Sequence, residues 1–337
     1  MADTTDLAIT TSGLGMIYNP GIFARRKAAL QDLNLSVPRG SIFGYLGQNG
    51  AGKTTTIKIL AGLQYATSGQ AWLFGIDVRQ SRSRRELGFM PENPYFYEYL
   101  TAEETLDFYG RLSGLDRTTR RQRTGELLVQ FGLGHARRVP MGEFSKGMRQ
   151  RLGLAQAIIH KPPLVVLDEP MTGLDPLGRR DVRNVILSLR DAGQTVFFSS
   201  HILSDVEDIC DRVCVLNKGR TVAEGPIHAL LTGKILEVAV AASGIPPAGV
   251  PELSPLAMRA WHDGALYHVL LDSEEKAQQA KALIEKAGGT LRLMLPHTES
   301  LEEYFVRVTG EDGVTDGDSF GRRGDGVAAQ TSKEGHA

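Results

Sequence analysis

Eight residues, Gly47 to Thr54 in "GQNGAGKT", constrain this chain more than any others. They satisfy the pattern of a glycine, four variable residues and Gly-Lys-Ser/Thr, between the apolar run "SIFGYL" (41–46) and the helix-forming "TTIKILAGL". In that strand-loop-helix context the pattern specifies a phosphate cradle. Gly47, Gly50 and Gly52 let the backbone curl until successive N–H groups point at phosphate oxygens, which makes Gln48, Asn49, Ala51 and the following Thr55 candidate binding residues as well. Lys53 brings a point charge to the outer phosphates, and Thr54 a hydroxyl suited to Mg²⁺.

A cradle of this kind needs a parallel sheet behind it, and the flanking pattern agrees. Residues 7–232 alternate short β-rich runs with helices, among them "LVVLD" (164–168), "TVFFSS" (195–200) and "RVCVL" (212–216). The expected class is α/β with a largely parallel sheet. No β-rich run occurs between 98 and 160, so a helical subdomain is expected at about 93–160, including "TAEETLDFYGRL" and "TGELLVQFG". From 233 to 309 a small α+β domain follows, with strands in "ILEVAVA", "LYHVLLD" and "TLRLMLP". Its helix "SEEKAQQAKALIEKAGG" sets Ala280, Leu283, Ile284 and Ala287 on one face, and Ser300 with Glu303 forms a capping box for a last helix. Residues 310–337, rich in Gly, Asp and Ser, are expected to be disordered.

The second half of the phosphate site is "LVVLDEP". Four apolar residues deliver Asp168 to the carboxyl edge of a sheet, where α/β proteins bind ligands. Asp168 is a candidate Mg²⁺ ligand, and Glu169 is placed to polarise an attacking water. Guanine recognition is not expected: "NKGR" puts Arg220 where that base needs a carboxylate. Tyr18 is either a stacking platform for adenine or an ordinary strand aromatic.

Bulk properties narrow the partners. With 38 Lys+Arg against 39 Asp+Glu, the net charge of −1 advertises no polyanion, so no nucleic-acid partner is expected. Cys210 and Cys214 are too few for a metal site or a disulfide framework and read as buried thiols. The N-terminus lacks the basic and apolar blocks of a signal peptide. Nowhere do about eighteen apolar residues run together, so membrane contact is expected only through a partner.

Taken in order, the phosphate loop, "FSKGMRQR" (144–151), "LVVLDEP", "TGLD" (172–175) and His201 in "FFSSHIL" resemble the nucleotide-binding subunits of ATP-binding cassette (ABC) transporters over residues 7–230. The resemblance implies a P-loop NTPase cassette, with a RecA-like core, a β-subdomain and a helical subdomain, that binds ATP and Mg²⁺. It also implies a head-to-tail dimer in which the "FSKGM" segment of one copy closes over the γ-phosphate held by the other. Ser145 would then donate to that phosphate and Gly147 allow close backbone approach. Asp175 would link the two sites, and His201 hold the γ-phosphate and attacking water.

Three positions, in two motifs, depart from the family pattern. Lys146 and Met148 stand in the signature, Lys146 facing either water or the partner's phosphates, with water favoured. Glu92, in "GFMPENPYFYEYLT", occupies the place of a glutamine and is assigned to Mg²⁺. The neighbouring Tyr95, Phe96, Tyr97 and Tyr99 either line a groove for a membrane subunit or fill the helical core. Arg25, Arg26 and Lys27, in an insertion at 20–28, read as a solvated hairpin or as a contact to lipid or permease.

The leading expectation is therefore an ATPase on the cytoplasmic face of the plasma (inner) membrane, peripheral, powering a polytopic permease of the ABC-2 export type. The alternative is a soluble ABC ATPase acting on a ribosome or nucleic acid. A P-loop kinase would leave "FSKGMRQR" and "TGLD" without a purpose.

Overall fold

The computed structural model describes residues 6–19, 26–231, 233–245 and 253–310. Arg25 and the tail beyond Gly310 lie outside the described residues.

The strands are β1 (Leu7–Tyr18), β2 (Lys27–Pro38), β3 (Ile42–Leu46), β4 (Ser68–Leu73), β5 (Ile76–Asp77), β6 (Leu87–Met90), β7 (Leu164–Leu167), β8 (Thr195–Ser200), β9 (Arg212–Asn217), β10 (Arg220–Pro226), β11 (Ile235–Ser243), β12 (Arg259–His262), β13 (Tyr267–Leu271) and β14 (Thr290–Thr298). The helices are α1 (Lys53–Leu60), α2 (Ala102–Leu112), α3 (Arg117–Gln130), α4 (Lys146–Ala157), α5 (Pro176–Asp191), α6 (Leu203–Glu207), α7 (Ile227–Leu230), α8 (Glu274–Lys286) and α9 (Leu301–Thr309).

A six-stranded sheet in the order β10-β9-β3-β8-β7-β6 forms the centre. Its four pairings from β9 to β6 are parallel and only β10 runs antiparallel, which gives the expected α/β class. Every residue of β3, β7 and β8 is buried, as strands covered on both faces must be. Alternate side chains feed two cores. Phe43, Tyr45, Val166 and Phe197 face α1 and an antiparallel sheet ordered β2-β1-β4-β5. Ile42, Leu46, Val165, Leu167 and Phe198 face the helical side, where α2 to α6 pack.

Helix α3 begins at Arg117, ahead of the expected "TGELLVQFG". Its first turns, "RTTRRQR", carry no apolar stripe, but the Asp116 side chain caps them by accepting from the Thr118 and Thr119 N–H groups. A third sheet, ordered β12-β13-β11-β14, packs one face on α8 through Val238, Val240, Val269, Ala277, Ala280 and Ile284. Strand β12 carries no burial alternation, since all four of its residues are exposed, and so gave no sequence signal.

Helix α9 leaves that small unit. Its buried Leu301, Tyr304 and Phe305 lie in the core of the helical side of the central sheet, not in the core beneath α8. The Ser300 and Glu303 capping box is present at its start.

Candidate active site

The carboxyl ends of three neighbouring strands converge on one point. The phosphate loop leaves β3, His201 follows β8 and Asp168-Glu169 follow β7, and β3-β8-β7 is the order in the sheet. Crossover topology at such an edge leaves room for a ligand.

The loop geometry demands its glycines. Gly50 and Gly52 have φ of 84° and 114°. A Cβ on Gly47 would stand 2.5 Å from the Leu216 carbonyl oxygen, so only glycine lets the loop approach β9. Lys53, 5% exposed, is the first residue of α1 and its ammonium donates to the Gly47 carbonyl at 2.5 Å.

The same ammonium stands 3.1 Å from Glu169 Oε1. On the other side of that carboxylate, Oε2 lies 2.7 Å from His201 Nδ1 and accepts from Thr172 Oγ1 at 3.1 Å. Burial drives the Glu169 carboxyl upward, but Lys53 and His201 outweigh it and hold the group below the usual carboxylate range. Glu169 is therefore ionised, with Oε1 buried and lacking a hydrogen-bond donor of good geometry. Its backbone is in the left-handed region at φ 50°, a strained conformation for a non-glycine residue.

Asp168 has the opposite character. It is 2% exposed, and burial pushes its carboxyl above the ordinary value despite hydrogen bonds from Ser199 and Thr54. Thr54 Oγ1 and Asp168 Oδ1 lie 3.4 Å apart, and Ser199 Oγ donates to the same carboxylate oxygen at 2.7 Å. One carboxylate beside one hydroxyl suits Mg²⁺, which takes few protein ligands and completes its shell with phosphate oxygens and water. Glu92 is exposed on the loop after β6 and, among the described residues, makes no hydrogen bond or ion pair.

Ser199 is the site residue that sequence reasoning missed. Its hydroxyl donates to Asp168 while accepting the Glu169 N–H at 2.9 Å, so it fixes both acids from the neighbouring strand. The available signal was the pair of serines closing the otherwise apolar "TVFFSS".

Tyr18 ends β1 and is 36% exposed. Its hydroxyl donates to Gln64 Oε1 at 2.9 Å and lies 3.3 Å from Thr55 Oγ1, which places the ring beside the first turn of α1. Of the aromatics near Glu92, Phe96 is buried in the helical core, whereas Tyr95, Tyr97 and Tyr99 are exposed. Arg220 donates to Gln31 Oε1 at 2.8 Å.

Ser145, Gly147 and Asp175 stand apart from this cluster. Ser145 is exposed and caps α4 by accepting from the Met148 N–H at 3.3 Å, and Asp175 caps α5 by accepting from Gly178 N–H at 3.0 Å. Neither they nor Gly147 bond to Lys53, Asp168, Glu169 or His201. Lys146 is exposed, and its side chain lies over Gly173. Gln150, buried in α4, donates to the Pro170 carbonyl at 2.9 Å and joins that helix to the turn after Glu169.

The family model described as ABC transporter matches residues 30–172. An uncharacterized ABC transporter ATP-binding protein of Synechocystis is 38% identical over 91% of this chain and 86% of its own length. The bacitracin transport ATP-binding protein of Bacillus licheniformis is 35% identical over 84% of this chain and 92% of its own. A solved ATP-binding subunit of an ABC transporter superposes with a TM-score of 0.60 at 32% identity, covering 67% of this chain and 92% of that one. Among the described residues no helix is long and apolar enough to cross a membrane. The chain belongs to the ABC transporter family as one of its ATP-binding subunits, an ATPase that works with a separate membrane permease.

Proposed function

We propose that two copies of this chain close head to tail around two ATP molecules, each bound by the phosphate loop of one copy and covered by Ser145 and Gly147 of the other. The observation that carries this reading is the separation just described. Glu169 already contacts both Lys53 and His201, whereas Ser145 presents the exposed start of α4 to solvent without touching them.

In this reading the N–H groups of residues 47–54 and the Lys53 ammonium bind the phosphates, and an incoming phosphate competes with Glu169 for Lys53. Glu169, ionised and strained, accepts a proton from the attacking water. His201, donating through the nitrogen that faces Glu169, keeps that carboxylate aimed. Thr54 and Asp168 would hold Mg²⁺, which neutralises charge on the outer phosphates, with Glu92 reaching it from the loop after β6. Tyr18 would stack on the adenine beside Thr55, and Asp175 would couple the two sites across the dimer. The cassette at 7–232, with its helices at 93–160, would transmit closure to a polytopic permease, and the region 233–309 would serve as an accessory domain whose last helix, α9, packs on the cassette.

Relatives such as the Nod factor export ATP-binding protein of Ralstonia nicotianae favour an exporter. Such a subunit would lie on the cytoplasmic face of the plasma membrane, held there by its permease. Glu169→Gln tests the assignment: it should retain ATP binding, lose turnover and accumulate the closed dimer. Normal hydrolysis by that variant would remove Glu169 from the mechanism.

A further inference from the structure

The histidine loop is held in place from behind by α9, the last helix among the described residues. His201 is followed at once by α6, a helix of five residues, too short to hold its own conformation. What fixes it must be packing. Toward the sheet, Val206 and Cys210 occupy the space left by the absent side chain of Gly44, where a Cβ would come within 2.6 Å of Val206 and 2.9 Å of Cys210. From α5, Arg179 faces Asp205 at 3.8 Å and Arg183 pairs with Asp208. The remaining side is closed by α9.

That contact is specific in register. The Leu301 N–H, one of the free donors at the start of α9, donates to Glu207 Oε2 at 3.0 Å. Glu207 is the last residue of α6. Leu301, Tyr304 and Phe305 join Val206, Ile209 and Cys210 in one core. Behind them Arg307 grips the buried Glu299 at 2.6 and 3.0 Å, which ties the far end of α9 to its own entry. A helix that belonged to the accessory sheet would bury its apolar face there, and this one does not.

We propose that α9 is a buttress for the histidine loop and that Glu207 is a positioning residue, which by capping α9 keeps α6, and through it His201, set against Glu169. This rests on the roles given above to His201 and Glu169. The 233–298 segment is then a detour whose end returns to the ATP site, so that a partner bound to the accessory sheet would have a mechanical route to hydrolysis.

The test uses the full-length chain purified with its membrane partner. Glu207 is exposed, so Glu207→Ala should fold. Expected is a fall in kcat of about tenfold with ATP affinity unchanged, and faster amide exchange over 202–210. Glu207→Gln, whose carbonyl still accepts from Leu301, should recover most of that loss. Tyr304→Ala, which thins the buttress without touching the cap, should reproduce the kcat effect. Unchanged turnover in Glu207→Ala, equal losses of kcat and affinity, or no recovery in Glu207→Gln would each overturn the proposal. Glu169→Gln run in parallel separates the two readings: if it is inactive while Glu207→Ala is normal, only the buttress falls, and if it hydrolyses ATP the underlying assignment falls.

Discussion

The ammonium of Lys146 lies 2.2 Å from the place a Cβ on Gly173 would take, so the first residue of α4 covers the loop that leads to Asp175. Gly173 has φ of 72°, in the left-handed region. Gly173→Ala should cost about 1 kcal/mol, because alanine is strained at that φ whereas the flexible end of a lysine swings aside. Urea unfolding of Gly173→Ala and of the double variant with Lys146→Ala separates the causes. Recovery in the double variant would mean that the clash, not the backbone, is responsible.

Ser199 should be worth about 2 kcal/mol, since Ser199→Ala strips a donor from buried Asp168 and an acceptor from the Glu169 N–H. The variant should also need more Mg²⁺ for half-maximal turnover. A melting curve that overlays the parent's would show the bridge to be idle.

Asp107 joins α2 to α3 by pairing with Arg120, and with Arg111 on its own helix. Burial raises its carboxyl, but Arg120 and Arg111 outweigh that and leave it below the ordinary 3.8. A lowered carboxylate stabilises above its unfolded value and loses that contribution as pH falls through the folded one. Asp107→Asn should therefore destabilise the chain by about 1–2 kcal/mol at neutral pH, and the gap should narrow only below pH 3.8. Chemical denaturation at neutral and acid pH measures it, and a gap independent of pH would contradict the pairing.

Both thiols should be inert in the folded chain. Burial pushes Cys214 up to about 12 and Cys210 well above its ordinary value. Iodoacetamide at pH 8 should modify neither until denaturant is added, as mass spectrometry would show. Labelling of Cys210 in the native chain would mean that the segment behind His201 opens.

Much of this was written in local chemistry. Strands β3, β7 and β8 announce themselves because burial on both faces demands continuous apolar runs. The phosphate loop is legible because its glycines answer to backbone geometry within a few residues. What depends on distant partners was not. Ser199 matters only because β8 lies beside β7, and Glu207 only because α9 returns to α6. The apolar face of "LEEYFV" is plain, but nothing in its spacing says which core receives it. The lean of Lys146 over Gly173 likewise joins the start of α4 to a loop 27 residues further along the chain, beyond the reach of any local pattern.

The central claim is that each ATP site is built from two chains, with Lys53 from one and Ser145 from the other. Ser145→Arg and Lys53→Ala should each abolish hydrolysis alone, and mixing the two proteins tests the claim most directly. Random pairing leaves about half the dimers mixed, each with one intact site, so turnover should return to about a quarter of the parent rate. If each site lies within a single chain, the mixture will hydrolyse no faster than either variant by itself.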